Sequence, residues 1–318
     1  MNLRIFLILG LFSSQFAAAE VVIDSIDNHL VSRTFWTKKN NVSLFLTQHS
    51  FSNWSTGGNN SIAGIVKVHM QRNYKDDYII WNNELKAHYG LNKEEAREVR
   101  KTEDRFEVNS SYGYRNDENS NWYYSVKFNF KTQFTNGYQY PNTDKPVSRL
   151  FAPAYLFLGA GAEYNSKENK ARYYLSPLTN KTTLVLSESL ANQGAFGVDP
   201  AIYDEAGTLL EQGKKSNIEF GILVTGTHET ALMTNIQMTN KLILYTDYLH
   251  DFGNIDINWE LNFDLTVNEY ITANIGAHLL YDNDVLYRAD TNDDGNLETM
   301  GPRIQLKQLL GVGFSYDF

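Results

Sequence analysis

The chain has 318 residues, with 28 Lys and Arg against 37 Asp and Glu, a net charge of −9. That balance argues against a nucleic-acid partner, which would need a basic face for phosphate, and the absence of cysteine excludes disulfides, thiolate metal sites, cysteine nucleophiles and a lipidated N-terminal cysteine. Only 42% of residues are hydrophobic, which excludes a bundle of membrane helices, yet 20 Tyr, 18 Phe and 5 Trp are too many for a disordered chain.

The first element is an export signal. Arg4 gives a basic start, residues 5–12 are an apolar core, and Ala17, Ala18 and Ala19 form a small-residue cleavage site before Glu20. The apolar run is shorter than the about 20 residues that a membrane helix needs. The expected organisation is a cleaved signal peptide at 1–19, a periplasmic segment at 20–35 and a barrel at 36–318.

The remainder alternates with period 2. Phe106, Val108, Ser110, Tyr112 and Tyr114 fall on one side of a strand, and Glu107, Asn109 and Ser111 on the other. Tyr124, Val126, Phe128 and Phe130 alternate with Ser125, Lys127, Asn129 and Lys131. Ile255, Ile257, Trp259, Leu261, Phe263 and Leu265 alternate strictly with Asp256, Asn258, Glu260, Asn262 and Asp264. The run 271–279 and the closing run 310–318 repeat the pattern. Strands this long, with one uninterrupted apolar face, fit a tilted transmembrane strand of roughly 9–11 residues. Twelve strands are predicted near 36–50, 60–73, 77–91, 103–115, 122–135, 153–165, 171–187, 216–231, 235–249, 254–267, 269–282 and 308–318. Their links run long then short, as in barrels with short periplasmic turns and longer outer loops. Pro177 removes a ladder donor inside the seventh strand and predicts a bulge or kink there. The charged run 93–100 is rich in helix formers and predicts a short solvated helix in an outer loop.

Four motifs carry a resemblance. They are Asn53, Trp54, Gly57 and Gly58 in the run 53–61; Leu175, Ser176, Pro177, Leu178 and Thr179; the run 194–198 from Gly194 to Val198; and Leu310, Gly311, Val312, Gly313, Phe314, Tyr316 and Phe318 at the end. Together they resemble a Gram-negative outer-membrane β-barrel family of unknown function, over about residues 36–318. The resemblance implies an all-β, transmembrane, antiparallel up-and-down barrel located in the outer membrane. It implies no activity. A terminal aromatic such as Phe318 is the residue that the barrel-insertion machinery reads.

Candidate chemistry lies mainly on the polar side of the strands. Glu84, Lys86, His88, Glu107, Lys127, Lys131, Asp256, Asn258, Glu260, Asn262 and Asp264 are expected to line the lumen. Both signs occur, so the lining suits either a water-filled pore for a small polar solute or a plug braced by ion pairs. Asp290, Asn292 and Asp294 open a calcium-like loop, but Gly301 stands where an EF-hand has its closing Glu. The bland reading is a solvated acidic loop; the metal reading is weak calcium in the 290–298 loop, with no other cofactor. His49 and Ser52 invite a lipid-hydrolase reading, but residues three apart leave a strand on opposite faces. Trp54 suits an interfacial anchor better than a sugar platform. The expected function is therefore a non-enzymatic channel or binding barrel for a small polar solute. The alternative is a structural or surface-interaction barrel acting through its outer loops. Outer-membrane lipid is the expected surround.

Overall fold

The computed structural model describes residues 35–50, 59–166, 170–249, 252–289 and 298–318. The predicted signal peptide, the Trp54 loop and the acidic residues Asp290, Asn292 and Asp294 lie outside the described residues. Twelve strands close into one antiparallel barrel. They are β1 (Trp36–His49), β2 (Ser61–Lys75), β3 (Ile79–Glu94), β4 (Arg100–Tyr114), β5 (Trp122–Thr132), β6 (Ala154–Asn165), β7 (Ala171–Leu184), β8 (Ser216–Met233), β9 (Ile236–Asp247), β10 (Asp256–Thr266), β11 (Ile271–Tyr281) and β12 (Gln305–Asp317). Each strand pairs with its sequence neighbours, and β12 returns to β1. No helix among the described residues is long and apolar enough to cross a membrane.

The short turns are closed by side chains that substitute for backbone partners. Asp76 accepts from the backbone N–H groups of Tyr78 and Ile79 at 2.8 and 2.6 Å, and Asn268 does the same for Tyr270 and Ile271 at 2.9 and 2.8 Å. Short acceptors of this kind suit tight turns because they satisfy N–H groups that leave the ladder.

The opposite rim is more elaborate. Two-stranded ribbons join Gly137–Tyr138 to Pro146–Ser148, Ile202–Tyr203 to Leu209–Glu211, and Leu286–Ala289 to Glu298–Pro302. A short helix α1 (Glu188–Asn192) is followed by a 3-10 turn at Ala195–Gly197. Gly194 enters that turn at φ 66°, a conformation that favours glycine. Ala152, Val185, Leu190, Ala191 and Val198 pack into a small apolar core, joining the β5–β6 and β7–β8 loops. Lys214 clamps the neck of the second loop to Asp199 at 2.6 Å, and that hydrogen bond raises the lysine pKa above its ordinary value.

One expected element is absent. The charged run 93–100 forms no helix. Lys93 and Glu94 extend β3, Arg100 begins β4, and a tight turn joins them with Ala96 at φ 61°. Glu94 pairs with Arg97 at 2.6 Å across that turn. Ladder hydrogen bonds outweigh helix propensity here, since a helix this short is marginal in water.

Pro177 does sit on a bulge. Ala160 pairs with Leu178 and Ala162 with Leu175, so Ser176 and Pro177 together face Gly161. The β8 ladder shifts at the same place, between Gly221 and Leu223. The bulge presses the backbones together: a Cβ on Gly161 would fall 2.0 Å from the Leu175 carbonyl oxygen. Gly161→Ala should therefore cost about 3 kcal/mol or more, because backbone rather than a flexible side chain must yield. Gly226→Ala, where a Cβ would meet only the Tyr173 ring at 3.5 Å, should be tolerated. Heat-modifiable migration on gels and urea unfolding measure both; equal stability of the two variants would contradict this account.

The outward faces are apolar. Leu46, Leu158, Leu175, Ile218, Leu310 and Val312 are each at least half exposed. Near the short-turn rim Trp36 stacks edge-on against Tyr74 at 5.4 Å and lies 5.7 Å from Trp81. Further round, Trp122 meets Tyr164 at 5.1 Å, and Tyr316 stacks on Phe318 at 5.9 Å. An apolar band with an aromatic girdle is the surface that a bilayer requires of a barrel. The seam between β1 and β12 differs from the other edges. Asn41 to Phe45 pair with Asp317 to Gly313, whereas β1 pairs with β2 from Trp36 to His49.

Candidate lumen site

Strand alternation sends Glu84, Lys86 and His88 of β3, Glu107 of β4, Lys127 and Lys131 of β5, and Asp256, Asn258, Glu260, Asn262 and Asp264 of β10 to one side. On that inner side they meet partners from several strands, in layers.

The middle layer crosses the barrel. Arg105 of β4 donates through Nε to Glu107 at 2.7 Å and through Nη2 to Glu260 of β10 at 3.2 Å. These strands lie six places apart in either direction round the ring. The arginine therefore bridges opposite walls. Glu107 also accepts from Asn109 at 2.9 Å and Asn129 at 3.2 Å, and Lys241 of β9 approaches it to 3.9 Å. Lys131 stands opposite Glu107 in the β4–β5 ladder. His278 lies 3.0 Å from Asn258 and 3.8 Å from Glu260. His88 faces Glu103 at 3.9 Å, and Glu103 is also bound by Lys307 of β12.

Towards the short turns, Glu84 holds His69 at 2.7 Å and Lys86 at 3.0 Å. Asp264 accepts from Asn274 at 2.7 Å, and Asn274 in turn accepts from Lys67 of β2 at 3.2 Å. The Asn262 amide oxygen covers Gly276, where a Cβ would come within 2.7 Å of it. Lys127 pairs with Glu163 at 3.1 Å and lies 4.3 Å from the centre of the Tyr174 ring. Towards the long loops, Lys181 of β7 contacts Asp256 at 2.9 Å, Glu219 at 3.1 Å and Asp282 at 3.7 Å. Its ammonium also lies 5.1 Å from the centre of the Tyr245 ring.

These pairs are mostly buried. The side chains of Glu107 and Glu163 are 2% exposed, and those of Lys181 and Glu219 are 5% exposed. Buried charge persists only when paired and hydrogen-bonded, so each layer holds the walls in one register. Chemically the arrangement supplies a charged inner lining that carries groups of both signs.

Several of these residues are not among the candidates singled out from sequence: Arg105, Glu163, Lys181, Glu219, Lys241 and Lys307. Arg105 was within reach, since it shares a face with Glu107 at a spacing of two. His49 ends β1 as an exposed residue, while Ser52 is not among the described residues.

Closure, the apolar girdle and the charged lining define a β-barrel of the transmembrane type. Residues 46–138 match the model of a family described as a protein of unknown function (DUF3078). No curated protein matches. Among solved structures, the translocator domain of the autotransporter NalP from Neisseria meningitidis is similar at 12% identity, over 89% of this chain and 88% of that one, with a TM-score of 0.35. The COG4313 outer membrane channel from Pseudomonas putida F1 is similar at 8% identity, over 92% of this chain and 100% of that one, with a TM-score of 0.38.

Proposed function

We propose that this protein is an outer-membrane barrel that binds a small polar solute in a lumen closed at rest by the Arg105 bridge. The role is binding or gated passage, not catalysis. In this reading the leader exports the chain, Phe318 presents it to the insertion machinery, and lipid surrounds the apolar band. The observation that carries the proposal is the Arg105–Glu260 contact between opposite walls. An open porin of 16–18 strands leaves water at its centre, whereas a barrel of twelve can be spanned by long side chains. The charge layers above and below the bridge supply polar groups of both signs to a guest. Planar-bilayer recording of the refolded wild-type barrel tests the closed state. The expected result is a near-seal at low voltage, and a large steady ohmic current would overturn it.

A further inference from the structure

The outer face near the short turns carries a polar row that neither the lumen nor the aromatic girdle explains. Trp36, Tyr74, Trp81 and Tyr112 stand opposite one another across β1, β2, β3 and β4. Two residues along each strand, about 7 Å away, Lys38, Arg72, Asn83 and Ser110 stand opposite one another in the same way. Alternation sets their direction. Trp36, Val42 and Leu44 of β1, Ile62 and Val66 of β2 and Trp81 of β3 are exposed, whereas Ser43, Phe45 and Ile80 are buried. Lys38 and Arg72 therefore face the bilayer side by side. Like charges directly opposite in a ladder are destabilising.

The arginine is held in place. Its Nη1 group donates to the Asn40 side-chain oxygen at 2.8 Å and to the Gln71 carbonyl at 2.6 Å. The Trp81 indole N–H donates to the Ser110 hydroxyl at 3.0 Å, that hydroxyl to the Asn83 amide oxygen at 2.8 Å, and the Asn83 amide to the Arg72 carbonyl at 3.2 Å. Both Nη1 protons are thus engaged. The Nε and Nη2 edge has no partner among the described residues, and that edge can grip two phosphate oxygens at once. The nearby acids are committed elsewhere: Glu84 to His69 and Lys86 inside the barrel, Asp76 to its own turn and the Tyr74 hydroxyl. Among the described residues no carboxylate pairs with Lys38 or Arg72.

We propose that this row binds the phosphodiester headgroup of an anionic glycerophospholipid in the leaflet at the short-turn end. Arg72 takes the two unesterified oxygens, and Lys38 adds its charge from the facing strand. The anion relieves the repulsion between the two bases. Two cations without an acid beside them disfavour a headgroup that carries its own ammonium. The aromatic row lies at headgroup level, where lipid phosphate is within reach. Val42, Leu44 and Val66 continue the same outward face and lie along the acyl chains. The inference rests on the barrel spanning a membrane and not on what its lumen holds.

Native mass spectrometry of the refolded full chain in detergent tests it, with phosphatidylglycerol and phosphatidylethanolamine of identical acyl chains supplied in equal amounts. Retention of one phosphatidylglycerol in preference to phosphatidylethanolamine is expected. Lys38→Gln with Arg72→Gln should weaken that binding about tenfold or more, through loss of charge-assisted hydrogen bonds. Arg72→Lys alone should weaken it several-fold, because the fork is lost while the charge stays. Lys93→Gln, at the long-loop end of β3, should leave it unchanged. Gel migration establishes that each variant is folded. Equal retention of the two lipids, unchanged binding in the double variant, displacement of the lipid by millimolar inorganic phosphate, or a dimer of the chain in place of bound lipid would each overturn the proposal.

Discussion

Replacing Arg105 with Met should turn a sealed barrel into a conducting one and lower its unfolding free energy by about 3 kcal/mol. The guanidinium serves two carboxylates at once, Glu107 beside it and Glu260 across the lumen. Removing it deprives both of their principal cation in an interior where their side chains are 2% and 14% exposed. Breaking a buried pair from one side costs about 3–5 kcal/mol. The lower end applies here, because Lys241 at 3.9 Å remains as a weaker partner for Glu107. The triple variant Arg105→Met, Glu107→Gln, Glu260→Gln should recover part of the stability while still conducting, since neither carboxylate is then stranded although Lys241 loses its Glu107 partner. Urea unfolding and bilayer recording measure the two effects separately. If the single variant is as stable and as tight as wild type, the bridge neither braces nor closes the lumen.

The second large effect is expected at Lys181. Its ammonium contacts Glu219, Asp256 and Asp282, so Lys181→Met leaves three carboxylates facing one another. A loss of about 4–5 kcal/mol is expected, towards the upper end of the range for a broken buried pair. The deficit should shrink when the carboxylates are removed as well. Lys181→Met combined with Glu219→Gln, Asp256→Asn and Asp282→Asn leaves no uncompensated cluster behind. Urea unfolding of wild type and both variants would show the gap narrowing in the multiple variant. A gap that widens, or stays constant, would mean that Lys181 acts by filling space rather than by charge.

The strands were legible because alternation is a local property. Ile255 to Leu265 declares itself without reference to any other part of the chain, and β10 follows it from Asp256 to Thr266. The lumen network was less legible for two physical reasons. Which strands face one another depends on how the ring closes, so the partnership of Arg105 with Glu260 is written nowhere near either residue. Bulges also break the count. Stepping by two from Tyr174 gives residues 176, 178 and 180, but the extra residue at Pro177 flips the register and turns Thr179, Lys181 and Thr183 inward. Lys181 is thus placed by a defect in the pattern that finds its neighbours. The run 93–100 shows the opposite error, in which local helix preference was real but weaker than a ladder already zipped on both sides.

The pairing between first and last strands has a mechanical meaning. Every other edge of the wall is laced along most of its length, but this one is fastened from Asn41 to Phe45 and, at its end, by the Phe318 N–H donating to the Asn40 carbonyl at 3.0 Å. Beyond Phe45, residues 46–49 and 305–312 ladder with their other neighbours and not with each other. Backbone groups left without partners at bilayer depth are expensive, several kcal/mol each. Among the described residues, the β1–β12 edge thus has the shortest ladder in the wall. Lateral tension or thermal fraying would part it there, at the collar, before any other stave gave way.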